Sequence, residues 1–454
     1  MNQSSTSQLV NGRAIDSLEA ARSFDLDHVK DVSIGLRSTS SPISLVIGTG
    51  FTIYHNSIIP AIIAAEHEVI LVTCFWAESV TLTDINEALR HLSEKAIASS
   101  STISVRICFS SSSLPRNLLL PTPRRGQSYP PATWAKLGLP QPNELVGLNI
   151  TITRKFFWPL GIIHSKYVIV DREIAIFPSC NVSWERWFEV AISLQGPVVG
   201  HLLAFHREFW DNGGPLVPIY PSEANRNTTG FTQEVPVADG PSEIAIFGHI
   251  RSSTTLLPSP HTSSFLPNHL QPGSIIGKLP CFPGTPHDFP STPLLNTTHH
   301  LLCTAKSSII MLTPNLTEPV VIDDLVQAME RGVDVHIWTN RTLMTMEQIV
   351  TAGTTTPRCL RYLAKRSKAL RGSLKTVFFD DGPGAQEVRE HAKEITPVRL
   401  HSKVTIVDGE KILLGSGNMD AASWKTSQEL GILVESREVV EEFKRMWNYG
   451  TLGG

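Results

Sequence analysis

The sequence has no run of about 18 apolar residues, the length a membrane-crossing helix needs, so it offers no transmembrane segment. It has no basic excess either. Lys and Arg number 39 against 42 Asp and Glu, a formal net charge of -3, which argues against broad electrostatic binding to nucleic acid. The N-terminal stretch MNQSSTSQLVNGRAIDS lacks the basic start and apolar core of a signal peptide. An intracellular location, cytoplasmic or peripheral on a membrane, is therefore expected. Asn-x-Ser/Thr matches such as Asn149 and Asn227 then carry no weight as glycosylation sites. Cysteine is scarce: the six are Cys74, Cys108, Cys180, Cys281, Cys303 and Cys359. None forms a C-x-x-C pair, which speaks against a zinc framework or a disulfide scaffold and for reduced, mostly buried thiols. What remains is an ordinary globular composition, 41% apolar and 18% charged, over 454 residues, enough for two or three cores.

Residues 1–40 are polar, Ser-rich and weakly patterned, and read as a tail. Order is expected from about Ser44, where SLVIG suggests a buried strand. A helical stretch near Ile58–Ala65 follows, then the strand EVILVTCFW (Glu68–Trp76), a helix around Asp84–Lys95 and the strand TISVRICF (Thr102–Phe109). Residues 110–150 are irregular and Pro-rich. A second irregular region runs from about 213 to 290, with nine prolines between Pro258 and Pro293, and reads as a linker or surface excursion. Beyond it come a helix near Leu294–Ala305, a strand at Ser307–Pro314, a helix Asp323–Arg331 stopped by Gly332, and a strand Val333–Thr339. Strand–helix–strand thus occurs twice, which predicts an α/β fold in two similar units, 41–212 and 291–454.

The chemistry repeats as well. Ile162–Asn181 reads IIHSKYVIVDREIAIFPSCN and Arg399–Asn418 reads RLHSKVTIVDGEKILLGSGN. Without gaps, His164 aligns with His401, Lys166 with Lys403, Asp171 with Asp408, Ser179 with Ser416 and Asn181 with Asn418. As a strand, H-S-K places the histidine and lysine of each copy on one face. Turns are expected at Asp171–Glu173 and Asp408–Glu410, the second marked by Asp-Gly. Centred on Arg172–Glu173 and Gly409–Glu410, these turns would set Asn181 opposite His164 and Asn418 opposite His401. Each half would then present an imidazole, an ammonium and an amide, a set suited to a phosphodiester. Asp171 and Asp408 have the other strand parity and are expected to serve the turns and support the site more than the chemistry.

H-x-K-x-x-x-x-D followed by G-S-x-N, twice in one chain, resembles the phospholipase D superfamily. The continuation NMDAASWKTSQEL (Asn418–Leu430) is similar to that family's stretch ending in a glutamate, here Glu429, and NVSWERWFEV offers Glu189 at a shorter spacing. The segment IIMLTPNLTEP…LVQAMERGVDVHI resembles the lead-in of cardiolipin synthase-like members. One departure is Pro178, where the first motif usually has Gly; a backbone N–H is lost there, while the second copy keeps Gly415.

The resemblance implies two α/β halves of mixed sheet flanked by helices, related by a pseudo-twofold axis with the site at their junction. It implies a catalytic set of His164, His401, Lys166, Lys403, Asp171, Asp408, Glu189 and Glu429. His164 would be the nucleophile that forms a phosphohistidine, and His401 the general acid. The glutamates would orient the imidazoles, each across to the opposite half. Lys166, Lys403, Asn181 and Asn418 would bind phosphate oxygens, and Ser179 and Ser416 would either join them or cap turns. No metal or other cofactor is implied, and no trusted ligand spacing is found among the other histidines, His299 and His300 included. The expected substrate is phospholipid at a membrane surface, met peripherally by a monomer. A nuclease or nucleic-acid end-processing enzyme is the second expectation. The third is a scaffold weakened in the Pro178 half. Residues 357–375 carry seven basic residues and no acid, with Leu360, Leu363 and Leu370 near one helical face and Gly372 as stop; a solvated amphipathic helix is expected there, with an anionic-surface contact as the other reading. Phe156, Phe157 and Trp158 read as core.

Overall fold

The computed structural model describes residues 36–112, 123, 125–156, 162–211, 243–248, 250–259, 292–379, 399–425 and 427–451. The sequence tail through residue 35, Phe157, Trp158 and most of the Pro-rich stretch lie outside the described residues.

The strands are β1 (Arg37–Thr49), β2 (Glu68–Phe75), β3 (Ile103–Ser111), β4 (Gln127–Ser128), β5 (Leu148–Arg154), β6 (Tyr167–Val170), β7 (Ile174–Pro178), β8 (Trp187–Gln195) and β9 (Glu243–Ile246). They continue with β10 (Ser252–Ser259), β11 (Ser308–Leu312), β12 (Asp334–Thr339), β13 (Leu374–Phe378), β14 (Arg399–Leu400), β15 (Val404–Val407), β16 (Lys411–Gly415) and β17 (Glu429–Glu435). One sheet runs β5-β3-β2-β6-β7-β8-β1-β9, with β5, β3 and β2 parallel and the other neighbours antiparallel. The other runs β13-β12-β11-β15-β16-β17-β10-β1, again with three parallel strands followed by antiparallel neighbours. Order and sense therefore repeat. Strand β1 belongs to both sheets: Arg37–Ser40 pair with β10, and Ser41–Thr49 pair with β8.

Side-chain alternation sorts the core. Ile70 and Val72 of β2, Val404 and Ile406 of β15, and Ile432 and Val434 of β17 join one apolar cluster between the sheets. The helices Pro197–Phe209 and Arg437–Thr451 also feed that cluster, through Val198 and Leu202 and through Phe443 and Trp447. Val69 and Leu71 face the other way, beneath the helix Val80–Ala98. The helices Pro293–Thr304 and Pro319–Arg331 cover the outer face of the second sheet. In the basic stretch, the helix spans Thr356–Ser367 with Leu360 and Leu363 buried and Leu370 partly buried against the same cluster.

Two expectations need correction. The 213–290 region contains β9 and β10, and β10 lies between β1 and β17 inside the second sheet. The proline density begins only at Pro258, at the far end of SSTTLLPS. There β1 has already left β10, so the missing N–H faces no partner strand. The hairpin register is also off by one. Val168 pairs with Ile176 and Val404 with Leu414, so neither Asn is set opposite its His. The cause is a three-residue loop in place of two. Asp171 and Arg172, at φ 51° and 58°, and Asp408 and Gly409, at φ 55° and 68°, make the turn. Glu173 N and Glu410 N then close it on Val170 O and Val407 O.

The turn aspartates fasten each hairpin to the start of a parallel strand. Asp171 accepts from the N–H groups of Glu66, His67 and Glu68 at 2.7–2.8 Å. Asp408 accepts from those of Lys306, Ser307 and Ser308 at 2.7–3.1 Å. Against its partial burial, these donors hold the Asp408 carboxyl below its ordinary range. Asp408→Ala is expected to lower the unfolding free energy by about 2 kcal/mol, from three charge-assisted bonds lost at once. A urea titration of both proteins checks this, and an unchanged midpoint refutes it.

Candidate active site

Each motif histidine lies just before a strand, not in it: β6 starts at Tyr167 and β15 at Val404. The expected one-face spacing of His and Lys is replaced by a closer relation. Lys166 Nζ donates to His164 O at 2.8 Å and Lys403 Nζ to His401 O at 2.5 Å.

What positions the imidazoles is an exchange between the halves. Ile163 bridges Gln428 in parallel, and His164 N donates to Gln428 O at 2.7 Å. Strand β14 lies parallel to the start of β8, and His401 N donates to Phe188 O at 2.9 Å. Each histidine is thereby set beside the first residues of a strand from the opposite half, where the glutamates stand. His164 Nδ1 lies 2.9 and 3.1 Å from the two oxygens of Glu429, and His401 Nδ1 lies 2.7 Å from Glu189 Oε1. The serines complete the pattern. Ser179 Oγ donates to Glu189, and Ser416 Oγ donates to Glu429 Oε2 at 2.5 Å. Each hydroxyl accepts in turn from a backbone N–H, Val190 at 2.9 Å and Leu430 at 3.0 Å.

Two glutamates, two lysines and two imidazoles therefore share one buried volume. Glu189, Glu429, Lys166, Lys403 and His401 are all at most 5% exposed, while the His164 side chain keeps 17%. Burial pulls both imidazoles below their ordinary pKa, the adjacent glutamates opposing it, and His401 falls to about 3. Burial raises Glu189 and Glu429, but His401 and Lys403 on the first and His164 and Lys166 on the second outweigh it, and both stay below the carboxylate range. With Nδ1 committed to a carboxylate, Nε2 is the ring atom each histidine can turn to a ligand.

The asparagines differ. Asn181 Oδ1 accepts from Phe75 N at 3.2 Å, so its amide donor is the group left to offer. Asn418 Nδ2 donates to Asp420 Oδ2 at 3.1 Å. Asp171 and Asp408 lie at the hairpin tips on backbone donors, away from this cluster. At Gly415 an added Cβ would come within 2.7 Å of Leu430 O, so glycine is needed for the approach of β17. Pro178 faces Ala191 instead and loses one bond, the counterpart of Gly415 N to Lys403 O. Ser179 N still donates to Val190 O at 2.8 Å, so the serine that holds Glu189 is in place.

Trp187 is a site residue that the sequence motifs did not single out. Its ring lies 4.5 Å from that of His401, centroid to centroid. The signal was there, since Trp187 stands two residues before Glu189 on the same strand face. Also missed was a grouping of His299, Cys303 and Asp324, where no ligand set was expected among the remaining histidines. Two of its members are a helical turn apart, but the third comes from another helix.

Residues 299–449 match the family model described as the cardiolipin synthase PLD-like domain. A curated phospholipase D from Rickettsia felis is 26% identical over 143 residues, 32% of this chain and 56% of that protein. The phospholipase D of Rickettsia conorii is 25% identical over the same share of each. These matches place residues 299–449 within the phospholipase D superfamily. The chain spans about half the length of the curated relatives it matches. In fold, it is similar over 93% of its length to 90% of the phosphatidylserine synthase of Haemophilus influenzae, at 12% identity and a TM-score of 0.53. The mixed α/β architecture is thus shared with that protein.

Burial also pulls the Lys403 ammonium down, to about 7. A pH unit below that value the charged form dominates, and a unit above it the neutral amine. Affinity for an oxyanion is therefore expected to fall about tenfold per pH unit above about 7. Tungstate, whose charge is constant over that range, is the probe for calorimetry. Lys403→Met should bind it weakly and with a flat profile; a flat profile in the unaltered protein would contradict the assignment.

Proposed function

We propose that the protein is a phosphodiesterase acting on phospholipid, by hydrolysis or phosphatidyl transfer, with one active site made jointly by its two motifs. The halves, about 41–212 and 291–454 with β10 added to the second sheet, would be related by a pseudo-twofold axis. The observation that carries this reading is that each motif histidine takes its carboxylate from the opposite half. Neither half has a complete set alone.

In the proposed reaction, His164 Nε2 attacks phosphorus and the P–O bond to the leaving alcohol breaks. His401, which takes up a proton from solvent at Nε2 as the anionic substrate binds, gives that proton to the alkoxide. It then takes a proton from water or an acceptor alcohol, whose oxygen displaces His164 from the phosphohistidine. Glu429 and Glu189 hold the rings with Nδ1–H toward the carboxylates and stabilise the positive charge each acquires. Lys166, Lys403, Asn181 and Asn418 offset charge on the phosphate oxygens. His164 is given the nucleophile's role because its ring is the more open of the two, at 17% against 6%.

For lipid, the support is the family model's description and the names of the Rickettsia relatives. The H. influenzae protein of like fold is a phosphatidylserine synthase. Among the described residues no helix is long and apolar enough to cross a membrane, so contact with lipid would be peripheral. Val80 and Trp184, 64% and 61% exposed beside the end of the first motif, suit such a contact.

The decisive assay offers the purified protein phosphatidylcholine vesicles, phosphatidylglycerol vesicles and a single-stranded oligonucleotide. Turnover of a phospholipid is expected, reduced at least about a hundredfold in both His164→Ala and His401→Ala. Quenched protein should carry the phosphatidyl group on His164. Turnover of the oligonucleotide alone would make the enzyme a nuclease, and turnover retained in both variants would remove the histidines from the mechanism.

A further inference from the structure

We propose a second site, a zinc site made by His299, Cys303 and Asp324. His299 and Cys303 stand one turn apart on the helix Pro293–Thr304, so their side chains share a face. Asp324 reaches that face from the helix Pro319–Arg331. Their ligand atoms all lie within 4.8 Å of one another. His299 Nδ1 is 2.8 Å from Asp324 Oδ2, Cys303 Sγ is 3.4 Å from Asp324 Oδ1, and Sγ is 3.7 Å from His299 Nδ1.

These separations fit the ion's geometry. Bonds of about 2.0 Å to N and O and about 2.3 Å to S, at tetrahedral angles, put ligand atoms roughly 3.3–3.5 Å apart. The two sulfur distances are already close to that; the imidazole lies against the other carboxylate oxygen, Oδ2, and would need to part from it by about half an ångström. The donor set chooses the metal. Mixed nitrogen, sulfur and oxygen ligands suit zinc and disfavour magnesium and calcium, which want oxygen alone. A thiolate and a carboxylate neutralise the dication; on binding, the Cys303 thiol proton is released to solvent, and the proton that His299 Nδ1 holds toward Asp324 is released or moves to Nε2. Asp324 is 2% exposed between two helices, and its carboxylate is met there by His299 and Cys303, with the charge of Arg331 nearby. The His299 side chain is 26% exposed, which leaves solvent a path to the fourth position. Arg331 is anchored beside the group, donating to Leu302 O at 2.8 Å.

The ion would join two helices that cover the second sheet. Leu294, in the first turn of the His299 helix, packs where Gly431 and Gly417 leave room, next to Glu429 and Asn418. A clamp at the other end of that helix would therefore stiffen the support of the second half-site without touching its chemistry.

The test uses the full chain, stripped with chelator and titrated with zinc, and its readouts do not depend on turnover. One equivalent is expected to bind with micromolar or tighter affinity and to raise the thermal midpoint by a few degrees. Cobalt in place of zinc should show tetrahedral d–d bands and a thiolate-to-cobalt charge-transfer band. Cys303→Ser should lose that band and the thermal response, and Asp324→Asn should bind at least about tenfold more weakly. Circular dichroism of the metal-free variants establishes that they fold. If one does not, the mass shift and zinc protection of Cys303 toward alkylation in the unaltered protein decide instead. Absence of stoichiometric binding, or an unchanged cobalt spectrum in Cys303→Ser, would leave only a hydrogen-bonded triad and overturn the proposal.

Discussion

The arrangement depends on two buried carboxylate–imidazole contacts that run between the halves. A carboxylate as deep as Glu429, at 1% exposure, is tolerable only if its charge and lone pairs are met. Here each glutamate has the imidazole of the opposite half and the serine hydroxyl of its own. Pulling the halves apart would strip both carboxylates of their imidazoles while leaving them in an apolar surrounding. Breaking one partner of such a buried set costs several kcal/mol, on the order of 3–5. The polar site therefore acts as a seam, and it explains why the backbone around it trades pairings, Ile163 with Gln428 and Leu400 with Phe188.

The rest of the fold serves to deliver those four side chains to the seam. Strands β8 and β17 begin at Trp187 and Glu429 respectively and carry the glutamates near their first turns of pleat. Hairpins β6–β7 and β15–β16 lead away from the histidines and return at the serines. The aspartates at the hairpin tips fix how far each one extends, by tying it to the first amides of β2 and β11. A motif that reads as one chemical unit is thus physically two: a histidine, a lysine and a serine at the buried glutamates, and an aspartate about a strand's length away that sets their depth.

What was legible in the sequence follows the range of the interactions concerned. The α/β repeat and most elements could be read because alternation and punctuation are local; Gly332, for instance, ends its helix in the left-handed conformation at φ 99°. Glu429 could be singled out because the family's continuation marks it, and Glu189 because the first copy offers a glutamate at a shorter spacing, but only coordinates show which histidine each one meets. The hairpin register was misread because one extra loop residue leaves the motif letters unchanged and shifts every cross-strand partner. Strand β10 was hidden by the prolines that follow it. The His299 group was hidden because Asp324 lies on a separate helix, and proximity between helices leaves no spacing to count.

The electrostatics of the buried cluster bear on the proposed chemistry. Two lysines stand with two glutamates, and burial pulls both imidazoles below their ordinary pKa. The lowered Lys403 shows the same pressure from the other side: burial first, and then the neighbouring Lys166, disfavour its charged form, which a nearby anion would restore. Under the proposed function an entering phosphodiester would supply that anion. It would favour the charged form of Lys403 and make room for one protonated imidazole, the species the leaving alcohol would require. On that proposal the proton for catalysis is drawn from solvent by the substrate's charge. A neutral ligand of the same shape would fill the space and leave the acid unformed.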